Sequence, residues 1–171
     1  MELFGEALTA GSAIFLLAAL GLALSFEFVN GFHDTANAVA TVIYTHTLKP
    51  TVAVVWSGCW NLIGVLTSTG GVAFGVLALL PVELVLNVGS SAGFAMVFAL
   101  LISAIIWNLG TWYLGLPASS SHALIGSIMG VGLANSMLSN HVFGEGVNWA
   151  KAEEVGSALL FSPLVGFVCA Y

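Results

Sequence analysis

Between Leu8 and Val29 the chain passes through twenty-two positions with a single charged side chain, Glu27. Wound as an α-helix this run is about 33 Å long, enough to cross a hydrocarbon core of about 30 Å. Further apolar stretches cover about 51–80, 93–116 and 123–138, and another starts near Val155 and is still apolar at Tyr171. Charged residues make up 6% of the 171 positions and hydrophobic ones 59%. A soluble domain needs about 25% charge to cover its surface, so most of this surface must meet lipid or other apolar helices. The expected fold class is therefore all-α integral membrane, with about four to six apolar helical segments in one unit spanning 1–171.

The ends and the charge balance narrow the class further. Glu2 and Glu6 precede the first run and no Lys or Arg does, which is the wrong start for a secretory signal; the run reads as a retained first span. The last run has no closing polar flank, and the sequence reads as a piece of something longer. A formal charge of −6 excludes nucleic acid as a partner, because a phosphate backbone requires basic stripes. Lys49 favours a cytoplasmic first loop and an outside N-terminus; Lys151 agrees only if the 117–138 region crosses fully. Cys59 and Cys169 lie in apolar stretches at no metal-ligand spacing. Gly71 with Gly75, and Gly126 with Gly130, have the small-xxx-small spacing of close helix contact.

Two polar clusters interrupt this background. The first is Asn30-Gly31-Phe32-His33-Asp34-Thr35-Ala36-Asn37. With membrane-grade sequence on both sides, it predicts a broken first helix. An ionised side chain at membrane depth costs roughly 2.5–3.5 kcal/mol, so Asp34 and Glu27 need a use there. Asn30, Asp34 and Asn37 are spaced four and three apart and would stack on one helical face. They make an oxygen-rich site for a cation or a protonated ligand, although Asp34 as a plain helix cap explains part of the pattern. His33 points elsewhere in a regular helix; it serves equally as a packing residue or as a proton carrier. His46 and His141 fall in connecting segments and carry no assigned role.

The second cluster is Pro117-Ala118-Ser119-Ser120-Ser121-His122. Pro117 pre-sets a helix entry, and a helix start presents free N–H groups and the positive end of its dipole to anions. Ser119, Ser120 and Ser121 add three neutral donors, more than a cap requires. This predicts a Ser-rich half-helix or re-entrant hairpin that receives an oxyanion. No Arg or Lys stands near either cluster, and Asp34 deepens the charge deficit, so cations must enter with the anion. An ionised carboxylate accepts hydrogen bonds and cannot donate them. Asp34 therefore favours protonated phosphate over sulfate, which has no proton to give at neutral pH.

NGFHDTANAVAT from Asn30 and GLPASSSHALIGSIMG from Gly115 resemble the two hallmark stretches of the inorganic phosphate transporter (PiT) family, above all its bacterial low-affinity branch. NVGSSAGFAMVF and IIWNLGTWYLGLPASSSH between them are similar as well, so the likeness covers almost the whole chain. It implies one half of an inverted-repeat transporter, with phosphate near the midplane held by Asp34, Asn37, Ser119, Ser120 and Ser121. Cation coupling falls to Asn30, His33, Asp34, Asn37 and His122. Many family members have Asn where this chain has His33, and that departure fits proton-coupled carriers of phosphate, including metal-phosphate, rather than Na⁺-coupled ones.

The resemblance implies secondary active import of phosphate by cation symport in the inner (plasma) membrane, without enzymatic activity. No resident cofactor is expected, since a proton, Na⁺ or divalent metal ion would travel as substrate. Expected partners are phosphate, the coupling cation, the bilayer, a C-terminal half of the same transporter and a second copy in a homodimer. Two other classes compete. A passive anion channel would show charge rings or a repeated pore-lining pattern. An intramembrane metal-dependent hydrolase using His33, Asp34 and His122 would show paired His ligands at helical spacing or a nucleophile elbow.

Overall fold

The computed structural model describes residues 2–3, 6–7, 10–86, 90–139 and 142–170, with the side chains of 2–3, 6–7, 72 and 170 left aside. Leu8, Asn87, Asn140, His141 and Tyr171, which bound or punctuate the segments read above, lie outside the described residues.

A two-residue antiparallel ladder, β1 (Glu2–Leu3) with β2 (Glu6–Ala7), precedes seven helices. These are α1 (Ala10–Tyr44), α2 (Pro50–Thr67), α3 (Gly71–Leu77), α4 (Val82–Leu86), α5 (Ser91–Tyr113), α6 (Ser120–Leu138) and α7 (Trp149–Ala170). Among the described residues, five helices (α1, α2, α5, α6 and α7) are long and apolar enough to cross a membrane. The all-helical membrane architecture agrees with the sequence.

The predicted break in the first helix is not there. α1 runs unbroken for 35 residues through the whole Asn30–Asn37 cluster. Nothing in that cluster forces an exit: Gly31 is the sole weak helix former without a side chain, and no proline is present. Thr35 returns its hydroxyl to the carbonyl of Gly31 at 2.7 Å, which satisfies it within the helix. The break falls instead inside the second apolar stretch. α2 stops at Thr67, and Ser68-Thr69-Gly70 intervene before α3, with Gly70 at φ 74°. Ser68 leaves α2 in extended conformation and left-handed Gly70 opens α3, a backbone path that glycine permits at little cost. Pro163 lies inside α7, a position tolerated in membrane helices.

The packing core joins α1, α4 and α5 through Phe26, Leu84, Leu100, Leu101 and Ala104. Ring pairs set the register: Phe15 lies 5.5 Å from Phe94, and Phe32 lies 5.7 Å from Trp112. Early α1 meets early α5 and later α1 meets its end, so the two helices run parallel. α5 and α6 form an antiparallel hairpin across the Leu114–Ser119 turn, with Ser103 and Trp107 opposite Gly126 and His122. α1 and α2 form another, through a turn in which His46 has φ 55°.

The close approach predicted at Gly71/Gly75 and Gly126/Gly130 occurs elsewhere. A methyl group added at Gly75, Gly126 or Gly130 would meet nothing within 4 Å, and at Gly71 only Thr69 of the preceding turn at 3.8 Å. At Gly132 it would lie 2.9 Å from Val147 Cγ2 and 3.0 Å from Pro81 Cγ. Gly132 is thus where α6 admits the loops before α4 and α7. Gly132→Val is expected to destabilise the protein by about 1–3 kcal/mol through overpacking, whereas Gly130→Ala leaves thermal unfolding in detergent unchanged. Equal unfolding midpoints for Gly132→Val and wild type would contradict this packing.

Candidate functional site

The two polar clusters meet. Ser120 opens α6, is 2% exposed, and donates its hydroxyl to Asp34 Oδ2 at 2.8 Å across 86 positions of sequence. One turn further along α1, Asn37 Nδ2 donates to the carbonyl of Ala118 at 3.3 Å. Because α1 stays helical, Asp34 and Asn37 share the face that the start of α6 abuts. Two contacts therefore tie the first cluster to the second.

The start of α6 divides its serines by task. Ser119 is the N-cap: its backbone is extended and its Oγ accepts from the N–H of His122 at 3.4 Å. Its carbonyl accepts from Ala123 N at 3.0 Å. Ser120 turns inward to Asp34, while Ser119, Ser121 and His122 are exposed. The N–H groups of Ser120 and Ser121 belong to the first turn, which has no intrahelical acceptor. A helix start of this kind presents free N–H donors, the groups that receive anions in general. His122 faces a different space, a cavity of about 380 Å³ between α5 and α6 that it lines with Ser103, Trp107 and Ser127.

Along α1 the polar side chains form a stripe. Asn30 Nδ2 donates to Glu27 Oε2 at 3.4 Å, and Glu27, Asp34 and Asn37 are exposed in this chain. Such a stripe belongs against protein or water, because acyl chains would not tolerate its charge. His33 flanks this stripe, one turn before Asn37, and is 4% exposed in line with the buried Phe26 and Val29. Its Nδ1 has no hydrogen-bond partner. Cations are remote from the pair: Lys49 precedes α2 as its N-cap, and Lys151 is 2.7 Å from Glu154 on α7. Among the described residues no group of three His, Cys, Asp or Glu could hold a metal ion.

Sequence reasoning missed the Ala118 carbonyl contact and the burial of Asn108. The Ala118 carbonyl has no side-chain signature. Asn108 on α5 is fully buried with both amide atoms unpartnered; its place in the buried series Leu100, Leu101, Ala104, Thr111 was the available signal.

A family model described as the phosphate transporter family matches residues 30–171. The chain belongs to the phosphate transporter family. The match begins at Asn30, where the first polar cluster begins. Similar curated relatives include the low-affinity inorganic phosphate transporter PitA of Escherichia coli K12, 50% identical over 159 residues, or 93% of this chain and 32% of the relative. The low-affinity inorganic phosphate transporter of Buchnera aphidicola from Schizaphis graminum is 47% identical over 91% of this chain and 32% of its own length. A probable low-affinity inorganic phosphate transporter of Bacillus subtilis is 38% identical over 87% of this chain and 41% of the relative. The chain thus spans about a third of the length of the first two. No solved structure matches.

Proposed function

We propose that this chain is one half of an inner-membrane secondary transporter that imports inorganic phosphate with a cation, most simply a proton. The observation that carries the reading is the 2.8 Å bond from Ser120 to Asp34. It joins a carboxylate acceptor directly to a helix N-terminus rich in donors. Phosphate carrying a proton is complementary to both. Its O–H donates to Asp34, and its anionic oxygens accept from the free N–H groups of Ser120 and Ser121, while the Ser120 hydroxyl, spent on Asp34, holds the carboxylate in place. Asn37, held by Ala118, keeps the turn before α6 against α1.

Charge sets the coupling. With Lys151 paired and Lys49 at the start of α2, the anion has only hydrogen-bond donors and Asp34 to meet. A cation arriving with it offsets a deficit that a low-dielectric site would not sustain. The proton fits best: the donor set near Asp34 is amides and hydroxyls, and His33 stands one residue away. Na⁺, or a divalent ion carried as metal-phosphate, would enter as cargo in the same manner. The exposed stripe Glu27–Asn30–Asp34–Asn37 is the surface a second half of the transporter would cover.

Uptake of radiolabelled phosphate into proteoliposomes containing the complete transporter tests this. Saturable uptake driven by an inward proton gradient, indifferent to Na⁺, and inhibited by arsenate but not sulfate is expected. Unsaturable flux, which a channel gives, or equal inhibition by sulfate and arsenate would overturn the reading.

A further inference from the structure

Glu27 is an ionisable side chain that the phosphate site does not use. It falls at the middle of the 35-residue α1, hence at membrane depth, and it is exposed. Its hydrogen-bond partner is the Asn30 amide at 3.4 Å, a neutral group that leaves the charge of the carboxylate uncompensated. A charge at that depth belongs against an opposite charge or water, not against acyl chains.

This chain brings no Lys or Arg to it. α2, α5 and α6, the helices that pack on α1, contain neither. Lys49 lies beyond the far end of α1, past about 25 Å of helix from Glu27 to Tyr44 at 1.5 Å per residue. Lys151 sits in the first turn of α7 and is bonded to Glu154 at 2.7 Å.

Glu27 also stands in a regular seam. Leu16, Leu20, Ala23, Glu27, Asn30 and Asp34 recur four and three residues apart, the spacing of a helix that packs lengthwise on another. At the Asp34 end the start of α6 takes the seam. At the other end Leu16 is 42% and Leu20 53% exposed, while α5 occupies a neighbouring face through Phe15 and Phe26. An apolar helix laid there would bury both leucines. A single basic side chain on it would fix its register against Glu27, as one polar residue does in a coiled-coil seam.

The Escherichia coli and Buchnera relatives are about three times as long as this chain. We propose that a membrane helix from the remaining part of the transporter lies along Leu16, Leu20 and Glu27, with one Lys or Arg paired to Glu27. Each charge of such a pair is compensated only by the other, so both are needed for assembly. The pairing rests on the reading of this chain as one part of a longer transporter, and it names the chemistry that the remaining part brings to α1.

The test is charge reversal in the complete transporter. Glu27→Lys is expected to abolish the monodisperse peak in detergent size-exclusion chromatography. In that background each membrane-embedded Lys or Arg of the remaining part, and Lys49 and Lys151 here, is changed to Glu in turn. One reversal in the remaining part is expected to restore the peak. In a background free of other cysteines, Leu20→Cys is expected to react with a membrane-impermeant thiol reagent at least about tenfold more slowly than His46→Cys in the exposed turn. Should Leu20→Cys fail to fold, the reversal series decides alone. A monodisperse Glu27→Lys, a series with no restoring member, or equal thiol reactivity would overturn the proposal. Restoration through Lys49 or Lys151 would give the seam to a second copy and overturn it too. Assembly is read here and not uptake, so the pairing can fail while phosphate transport stands, and the reverse.

Discussion

Asp34→Asn is expected to reduce phosphate uptake roughly 100-fold, the upper range for a hydrogen bond to a charged group. The substitution preserves shape but changes chemistry at two atoms. The charge that calls a cation into the site is removed, and one acceptor oxygen becomes an N–H₂ donor. Facing a protonated phosphate, that amide sets donor against donor. Facing sulfate, the same change removes the repulsion between carboxylate and oxyanion. The variant is therefore expected to lose its preference for phosphate over sulfate as well as its rate. Initial rates at matched protein density in proteoliposomes, with each anion as competitor, read both effects. Wild-type rate and wild-type selectivity in Asp34→Asn would mean that the carboxylate stands outside the transport path.

Ser120→Ala is expected to cost roughly tenfold in apparent phosphate affinity, the loss of one hydrogen bond to a charged group at its lower range. Ser120 is 2% exposed and its hydroxyl reaches Asp34 Oδ2 at 2.8 Å. Removing it leaves that carboxylate oxygen without its donor from α6, so the acceptor for the phosphate O–H is no longer held in place. Ser121→Ala and Ser119→Ala differ in kind. Ser119 caps α6 through His122 N, so its loss falls on helix stability, by about 0.5–2 kcal/mol. Ser121 is exposed and contributes its backbone N–H, which alanine retains. The three neighbouring serines are thus separable by their effects on affinity and on thermal unfolding.

How much of this was legible beforehand depended on what kind of force carried each feature. Membrane-length apolar runs announce themselves, because burial in lipid is set by composition over about 20 residues. The pairing of the two polar clusters was also legible, since Asp34 and the Ser119–Ser121 run are both too polar for their surroundings. The break was misplaced because polarity was read as a helix stop. Asn30, Asp34 and Asn37 stay helical, bonding Glu27, Ser120 and Ala118 in turn, and the chain gives way instead at Ser68-Thr69-Gly70, where backbone freedom decides. The glycine spacings at 71/75 and 126/130 misled for a related reason. Spacing along one helix does not say what stands opposite, and the tight approach proved to be at Gly132 against Val147 and Pro81. Asn108 stayed hidden among the apolar residues of α5, because a single amide barely alters a hydropathy profile. Only the packing of α5 reveals that it is fully buried with its amide unpartnered.

The exposed stripe on α1 gives the account its asymmetry. Glu27, Asp34 and Asn37 are exposed here, whereas the groups they would work with, Ser120 and His33, are buried. The Escherichia coli and Buchnera relatives are about three times as long as this chain, and the stripe marks where more protein would lie. In that frame α1 is the central wall of the site.

The central claim is that Asp34 and Ser120 bind phosphate as one unit, and a double-mutant cycle on phosphate binding measures that directly. Dissociation constants for radiolabelled phosphate would be taken by scintillation proximity on the complete transporter in nanodiscs, for wild type, Asp34→Asn, Ser120→Ala and the double variant. Residues sharing one hydrogen-bond network couple by about 0.5–3 kcal/mol, so the double variant is predicted to bind little worse than Asp34→Asn alone. Strictly additive losses, or wild-type affinity in both single variants, would contradict it.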